Sequence, residues 1–79
     1  MDIEVRLYHG LNKYLPNGDR QYSQRLEIAS GSTAGKVLAE LGLAKKEGIV
    51  IFVNGANVDW EYVLKPGDVL AAMRPAGGG

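Results

Sequence analysis

The stretch Ile49-Val50-Ile51-Phe52-Val53 most limits what this chain can fold into. It is an unbroken β-branched and aromatic run, bounded by Gly48 and by Asn54-Gly55. Such a run predicts a strand, and its lack of polar breaks predicts a central one. A 79-residue chain buries only roughly 60–65% of the surface exposed by its unfolded form, enough for one modest core. Every other segment must therefore share its core with this strand. Asn54-Gly55 is a tight-turn signal, so Ala56 to Val58 is expected to fold back as a short edge strand.

The rest of the chain supplies partners for it. Asp2 to Tyr8 alternates polar and apolar residues, with Ile3, Val5 and Leu7 on one face and Glu4, Arg6 and Tyr8 on the other. That is the period of a half-buried strand. Gly10 to Asp19 is polar and holds the turn signal Pro16-Asn17-Gly18, with Leu11, Tyr14 and Leu15 as its anchors. Ser23 to Ala29 alternates again, placing Leu26 and Ile28 together, and the two strands read as a hairpin with a long connection. Ser32 or Thr33 then caps a helix from about Thr33 to Leu41. Ala34, Val37, Leu38 and Leu41 form its apolar stripe, and Gly42 suits the left-handed residue that ends it. Asp59 to Tyr62 is expected to make one helical turn, and Leu64 to Asp68 a turn. Val69 to Met73 is the last strand, ended by Pro75.

This order predicts an α+β fold, a mixed sheet of four or five strands with one main helix packed on one face. A right-handed crossover puts the last strand in the middle, beside the first. That is the β-grasp, or ubiquitin-like, arrangement. Residues 1–75 form the domain and 76–79 a flexible tail.

Composition narrows the function classes. Hydrophobic residues at 46% and charged residues at 23% are ordinary for a soluble globular domain. Lys plus Arg and Asp plus Glu number 9 each, which gives no reason to expect nucleic acid or an anionic membrane as partner. With no Cys and a single His, His9, neither a thiolate nor a multi-His metal site is available. No apolar run is long enough to span a bilayer and no signal-peptide pattern is present, so a cytoplasmic location is the expectation. No acid, base and nucleophile converge in the pattern, and a stand-alone enzyme is not expected.

The sequence ends in Pro75-Ala76-Gly77-Gly78-Gly79. Glycines without Cβ atoms enter channels too narrow for other residues, at an entropic cost that a partner must offset. Taken alone, three glycines read first as an inert flexible tail. The competing reading is a reactive one, in which the Gly79 carboxylate is activated as an acyl-adenylate by another protein, and Gly77 and Gly78 provide fit and reach.

Residues spread over the whole chain carry a resemblance. They are Leu11 to Leu15 with Pro16, Gly31-Ser32-Thr33, Leu38 with Leu41, Val53-Asn54-Gly55, Leu64, Gly67-Asp68 and the final Gly78-Gly79. Together they resemble the MoaD/ThiS family of sulfur-carrier proteins. The resemblance implies a carrier adenylated at Gly79, converted there to a thiocarboxylate, and donating sulfur to cofactor biosynthesis. It implies no bound cofactor, with ATP and magnesium used by an E1-like adenylating enzyme of the MoeB/ThiF type. It also implies a sulfur-accepting synthase subunit of the MoaE or thiazole synthase type. The long segment before the helix resembles the molybdopterin-synthase small subunit more than the thiamine thiazole carrier. Ala71-Ala72-Met73-Arg74-Pro75 departs from the aromatic and proline residues common there, and Gly77 adds a glycine frequent in thiazole carriers. A thiamine thiazole sulfur carrier, a ubiquitin-like protein modifier and a non-reactive binding module remain as alternatives.

Alternation also marks a partner surface. With Ile51, Val53, Leu70 and Ala72 turned to the helix, Phe52, Val69, Ala71 and Met73 face away, together with Tyr8. Exposed apolar patches mark partner sites, and Met suits a surface meeting more than one partner. Arg74, beside the tail, is placed to meet a partner carboxylate. A register slip of one residue exchanges the two faces, so the patch stands or falls with the register. His9 reads as a strand-end or loop residue, Lys45 and Lys46 as a solvated loop, and Trp60 and Tyr62 as closing the bottom of the core.

Overall fold

The alternation at the start of the chain sets the layers. In the computed structural model, which describes residues 1–18, 21–43 and 48–75, Ile3, Val5 and Leu7 are fully buried while Asp2 and Arg6 are exposed. The elements are β1 (Asp2–Leu7), a 3-10 helix (Leu11–Tyr14), β2 (Ser23–Glu27), α1 (Ala34–Glu40), β3 (Val50–Val53), β4 (Ala56–Asn57) and β5 (Val69–Met73). They form one five-stranded sheet in the order β2-β1-β5-β3-β4. β1 runs antiparallel to β2 and parallel to β5, and β3 is antiparallel to both β5 and β4. The last strand does lie in the middle beside the first, with the helix on one face, as the β-grasp reading requires.

Ala34, Val37 and Leu38 of α1 close the core over Ile3, Val5, Leu7, Ile51, Val53, Leu70 and Ala72. The helix is short, so its stability comes from this packing and from its caps. Thr33 accepts the Lys36 N–H through Oγ1 at 3.1 Å. The N–H groups of Ala34 and Gly35 donate to the carbonyls of Tyr62 and Trp60, each at 2.8 Å. A Cβ on Gly35 would lie 2.8 Å from the Trp60 carbonyl oxygen, so this close approach requires glycine. Asp59 to Tyr62 is a single hydrogen-bonded turn rather than a helical one. The Asp59 carboxylate takes the Glu61 N–H, and the Tyr62 N–H reaches the Asp59 carbonyl.

Val50–Val53 of the apolar run form a strand that pairs on both sides but lies next to the sheet edge rather than in its middle. β3 has only the two-residue β4 outside it. Its apolar character has another cause. Ile51 and Val53 are buried in the core, and Val50 and Phe52 lie half-buried on the opposite face. The connection between β1 and β2 is more regular than expected. Leu11 and Leu15 are buried around the 3-10 helix, and Asn12 Nδ2 donates to the Gly18 carbonyl at 2.6 Å.

Val53-Asn54-Gly55 and Gly67-Asp68, distant in sequence, meet in space. Asn54 and Gly55 both have positive φ, 53° and 87°, as the turn between β3 and β4 demands. Asn54 Nδ2 donates to Asp68 Oδ1 and its Oδ1 accepts the Val69 N–H, both at 2.9 Å. Asp68 Oδ2 takes the Lys65 N–H at 2.8 Å, and Asp68 is buried. This clasp ties the β3–β4 turn to the start of the central strand. Asp68→Ala is expected to lower unfolding stability by about 2–3 kcal/mol, because two donors lose their acceptor in a largely buried setting. Urea unfolding measures it, and a loss below about 0.5 kcal/mol would contradict the clasp. Lys45, Lys46, the glycines at 77–79 and the expected flexibility of the tail from Ala76 onward lie outside the described residues.

Candidate functional site

Register fixes what the open face of the sheet presents. Arg6 and Phe52 both stand opposite Ala71, Glu4 stands opposite Val69, and Val50 opposite Met73. Residues opposite one another share a face, so Phe52, Val69, Ala71 and Met73 lie together on the side away from α1. All four are half-buried. Tyr8 follows β1 directly, is half-buried, and donates its N–H to the Ala72 carbonyl at 3.0 Å. The structure thus brings Tyr8, Phe52, Val69, Ala71 and Met73 onto one surface. Arg74 is exposed at its border.

This face has two halves. β5 and β3 supply the apolar one; β1 and β2 supply Asp2, Glu4, Arg6, Arg25 and Glu27. The Arg6 guanidinium is hydrogen-bonded to Glu4 and then to Tyr8, which raises its pKa further above the usual range. Its charge is therefore fixed beside the apolar half. At the far end, the Asp2 carboxyl is raised by its hydrogen bond to Glu27 and by that group's charge. The same hydrogen bond, with the N-terminal ammonium 2.8 Å away, lowers Glu27. The two shifts oppose each other in the pH dependence of stability. The lowered Glu27 favours folding above its unfolded pKa, and the raised Asp2 disfavours it there.

The last strand brings the tail root to this surface. β5 alternates Val69, Ala71 and Met73 on the open face, and Pro75 follows just beyond its end. Beside that end lies the turn after β1, where His9 holds φ of 55°. His9 Nδ1 lies 3.0 Å from the Arg74 carbonyl oxygen.

Three residues of this region escaped the sequence reading. Val50 shares the parity of Phe52 and was legible from it. Tyr22 is exposed, with its ring centroid 5.9 Å from that of Tyr8; it precedes β2 and so carries no strand signal. His9 was legible as a loop residue but not as a contact of Arg74. On the helix side, a groove of about 620 Å³ runs between α1 and Trp60, with Thr33, Lys36, Leu43 and Glu61 on its walls. None of the patch residues lines it. Trp60 and Tyr62 are partly buried against the core, as expected of them. Among the described residues no group of three or more His, Asp or Glu is placed to hold a metal ion, and no helix is long and apolar enough to cross a membrane.

The fold recurs in known structures. The small archaeal modifier protein SAMP1 from Haloferax volcanii superposes with a TM-score of 0.74 at 19% identity, covering 100% of each chain. A chain from the complex of subunits 1 and 2 of the molybdopterin-converting factor of Helicobacter pylori gives 0.65 at 20% identity, again over 100% of each chain. The thiamine biosynthesis protein ThiS from Geobacter metallireducens gives 0.63 at 20% identity with the same coverage. The resemblance drawn from the sequence therefore holds at the level of the fold. No curated protein matches the chain by sequence. The family described as Mut7-C ubiquitin matches residues 1–77, so the chain belongs to the Mut7-C ubiquitin family, on a β-grasp fold.

Proposed function

We propose that this protein is a ubiquitin-like sulfur carrier acting through a terminal carboxylate on Gly79. One observation carries the reading. The central strand β5 bears the apolar face through Val69, Ala71 and Met73, and the same strand leads into the glycine tail. A partner that covers the face is thereby given the tail. From Pro75, the four residues to Gly79 span at most ~14 Å, so the partner's reactive centre lies within that distance of the domain.

The chemistry is that of an activated carboxylate. A Gly79 oxygen attacks the α-phosphorus of ATP in an E1-like adenylating enzyme, forming the acyl-adenylate and releasing pyrophosphate. Magnesium and the enzyme's cationic groups stabilise the phosphoryl charge. A hydrosulfide-level sulfur nucleophile then forms the C–S bond as the C–O bond to AMP breaks, leaving the thiocarboxylate. The protein contributes the docking face and the narrow tail, and needs no catalytic side chain.

The acceptor is proposed to be a synthase subunit of the molybdopterin-forming type. The long connection between β1 and β2 supports this, as does the similarity to a chain of the molybdopterin-converting factor complex. A second reading is favoured by the likeness to SAMP1, which is named a modifier. There Gly79 would end in an isopeptide bond to a lysine after the same adenylation. Both readings require pyrophosphate exchange into ATP that depends on this chain and an adenylating enzyme of the MoeB/ThiF type. Exchange no faster than with the enzyme alone contradicts both.

A further inference from the structure

We propose that His9 is a positioning residue that fixes the direction in which the tail leaves the domain. This rests on the carrier reading for its consequence in the reaction, though the clamp itself is a structural claim. A carbonyl oxygen only accepts, so the Nδ1 facing Arg74 at 3.0 Å carries the proton and donates. The bond joins residues 65 positions apart in sequence.

Both ends of this bond are held. His9 sits in a turn whose φ values are 55° at His9 and 85° at Gly10. The turn is closed by the Leu11 N–H donating to the Tyr8 carbonyl at 3.0 Å, and Leu11 is fully buried. The αL conformation at His9 is uncommon for a residue with a Cβ, and it places the imidazole at the end of β5. The Arg74 carbonyl is the acyl half of the bond to Pro75. A residue before proline is confined to extended ψ, and the proline ring fixes its own φ. The His9 bond selects one orientation of that carbonyl within the extended range. The first backbone dihedral left free is then ψ of Pro75.

Exit direction matters because the tail acts as a lever. Over the ~14 Å reach of four extended residues, a ~30° tilt at the root displaces the far end by ~7 Å. A reaction needs its atoms held at about 3–3.5 Å. A clamp at the root thus raises the fraction of docked complexes in which the terminus points into the partner's channel. It does so without touching the reacting atoms or the docking face.

The test uses the full chain with His9→Ala, His9→Gly and His9→Asn. Ala and Gly both remove the donor, and Gly also accepts the αL backbone, so agreement between them excludes a backbone effect. Asn tolerates αL and places its amide nitrogen where the imidazole has Nδ1. In ATP–pyrophosphate exchange, Ala and Gly are expected to lower kcat about three- to tenfold, the range of one lost hydrogen bond, with KM within about twofold because docking is intact. Asn is expected to restore kcat. In the free protein, the Ala76 amide resonance and its heteronuclear NOE should change in the Ala and Gly variants and return in Asn. The proposal is overturned if the Ala76 amide is indifferent to all three, or if Asn behaves like Ala. Should even the parent chain support no exchange, the carrier reading fails while the amide measurements still decide the clamp.

Discussion

Loss of Gly79 is expected to leave a folded protein that docks normally yet forms acyl-adenylate at least about 100-fold more slowly. Deletion moves the carboxylate to Gly78 and shortens the reach by up to ~3.6 Å. A displacement of only about 1 Å at a reacting centre can cost about 100-fold. The core described, from Ile3 to Ala72, precedes the tail, and glycine has no side chain to bury, so the melting temperature should not move. ATP–pyrophosphate exchange reads the rate, and competition by the truncated chain against the full one reads docking. An unchanged rate would make the last glycine spare. An unchanged rate after loss of Gly77, Gly78 and Gly79 together would remove the tail from the mechanism.

Phe52→Asp is expected to weaken binding to the adenylating enzyme by roughly 30- to 1,000-fold, the range of a central anchor residue. Phe52 lies on the open face beside Ala71, half-buried in the free protein. An Asp there would stay hydrated in the free domain and lose that hydration under a partner, with no cation of the patch opposite it. The fold should survive, since the side chain points away from the core and strand propensities span only about 1 kcal/mol. Lys36→Glu, on the helix side, is the control and should bind normally. Normal binding by Phe52→Asp, or equal losses in the two variants, would move the interface off this face.

Much of this arrangement could be read from period alone. Asp2 to Tyr8 alternates strictly, so its parity assigned Ile3, Val5 and Leu7 to the core, where the structure buries them. Val69 to Met73 is apolar throughout, so the face bearing Phe52 and Met73 rested on an assumed register, which the strand pairings bear out. Period failed where two environments demand the same residue type. In Ile49 to Val53 a core face and an open apolar face are both hydrophobic, which mimics a strand buried on both sides, and β3 was placed too centrally. It also failed where structure depends on contacts between distant residues. The Asn54–Asp68 clasp showed in the sequence only as two separate turn signals. The contact of His9 with Arg74 left no local pattern, because it depends on β1 and β5 running parallel and ending together. Tyr22 lies outside any strand, so no alternation assigned it a side.

As a sulfur carrier under the proposed function, this chain has its Gly79 carboxylate activated and exchanges one carboxylate oxygen for sulfur. Intact-mass measurement after incubation with an adenylating enzyme of the MoeB/ThiF type, ATP, magnesium and a sulfide donor tests it most directly. The expected result is a gain of about 16 Da, the difference between sulfur and oxygen, confined to the C-terminal peptide and absent without ATP. A mass unchanged under conditions in which the enzyme thiolates its own carrier would contradict it. The chain would then stand as a modifier if pyrophosphate exchange persists, and as a non-reactive binding module if exchange is absent too.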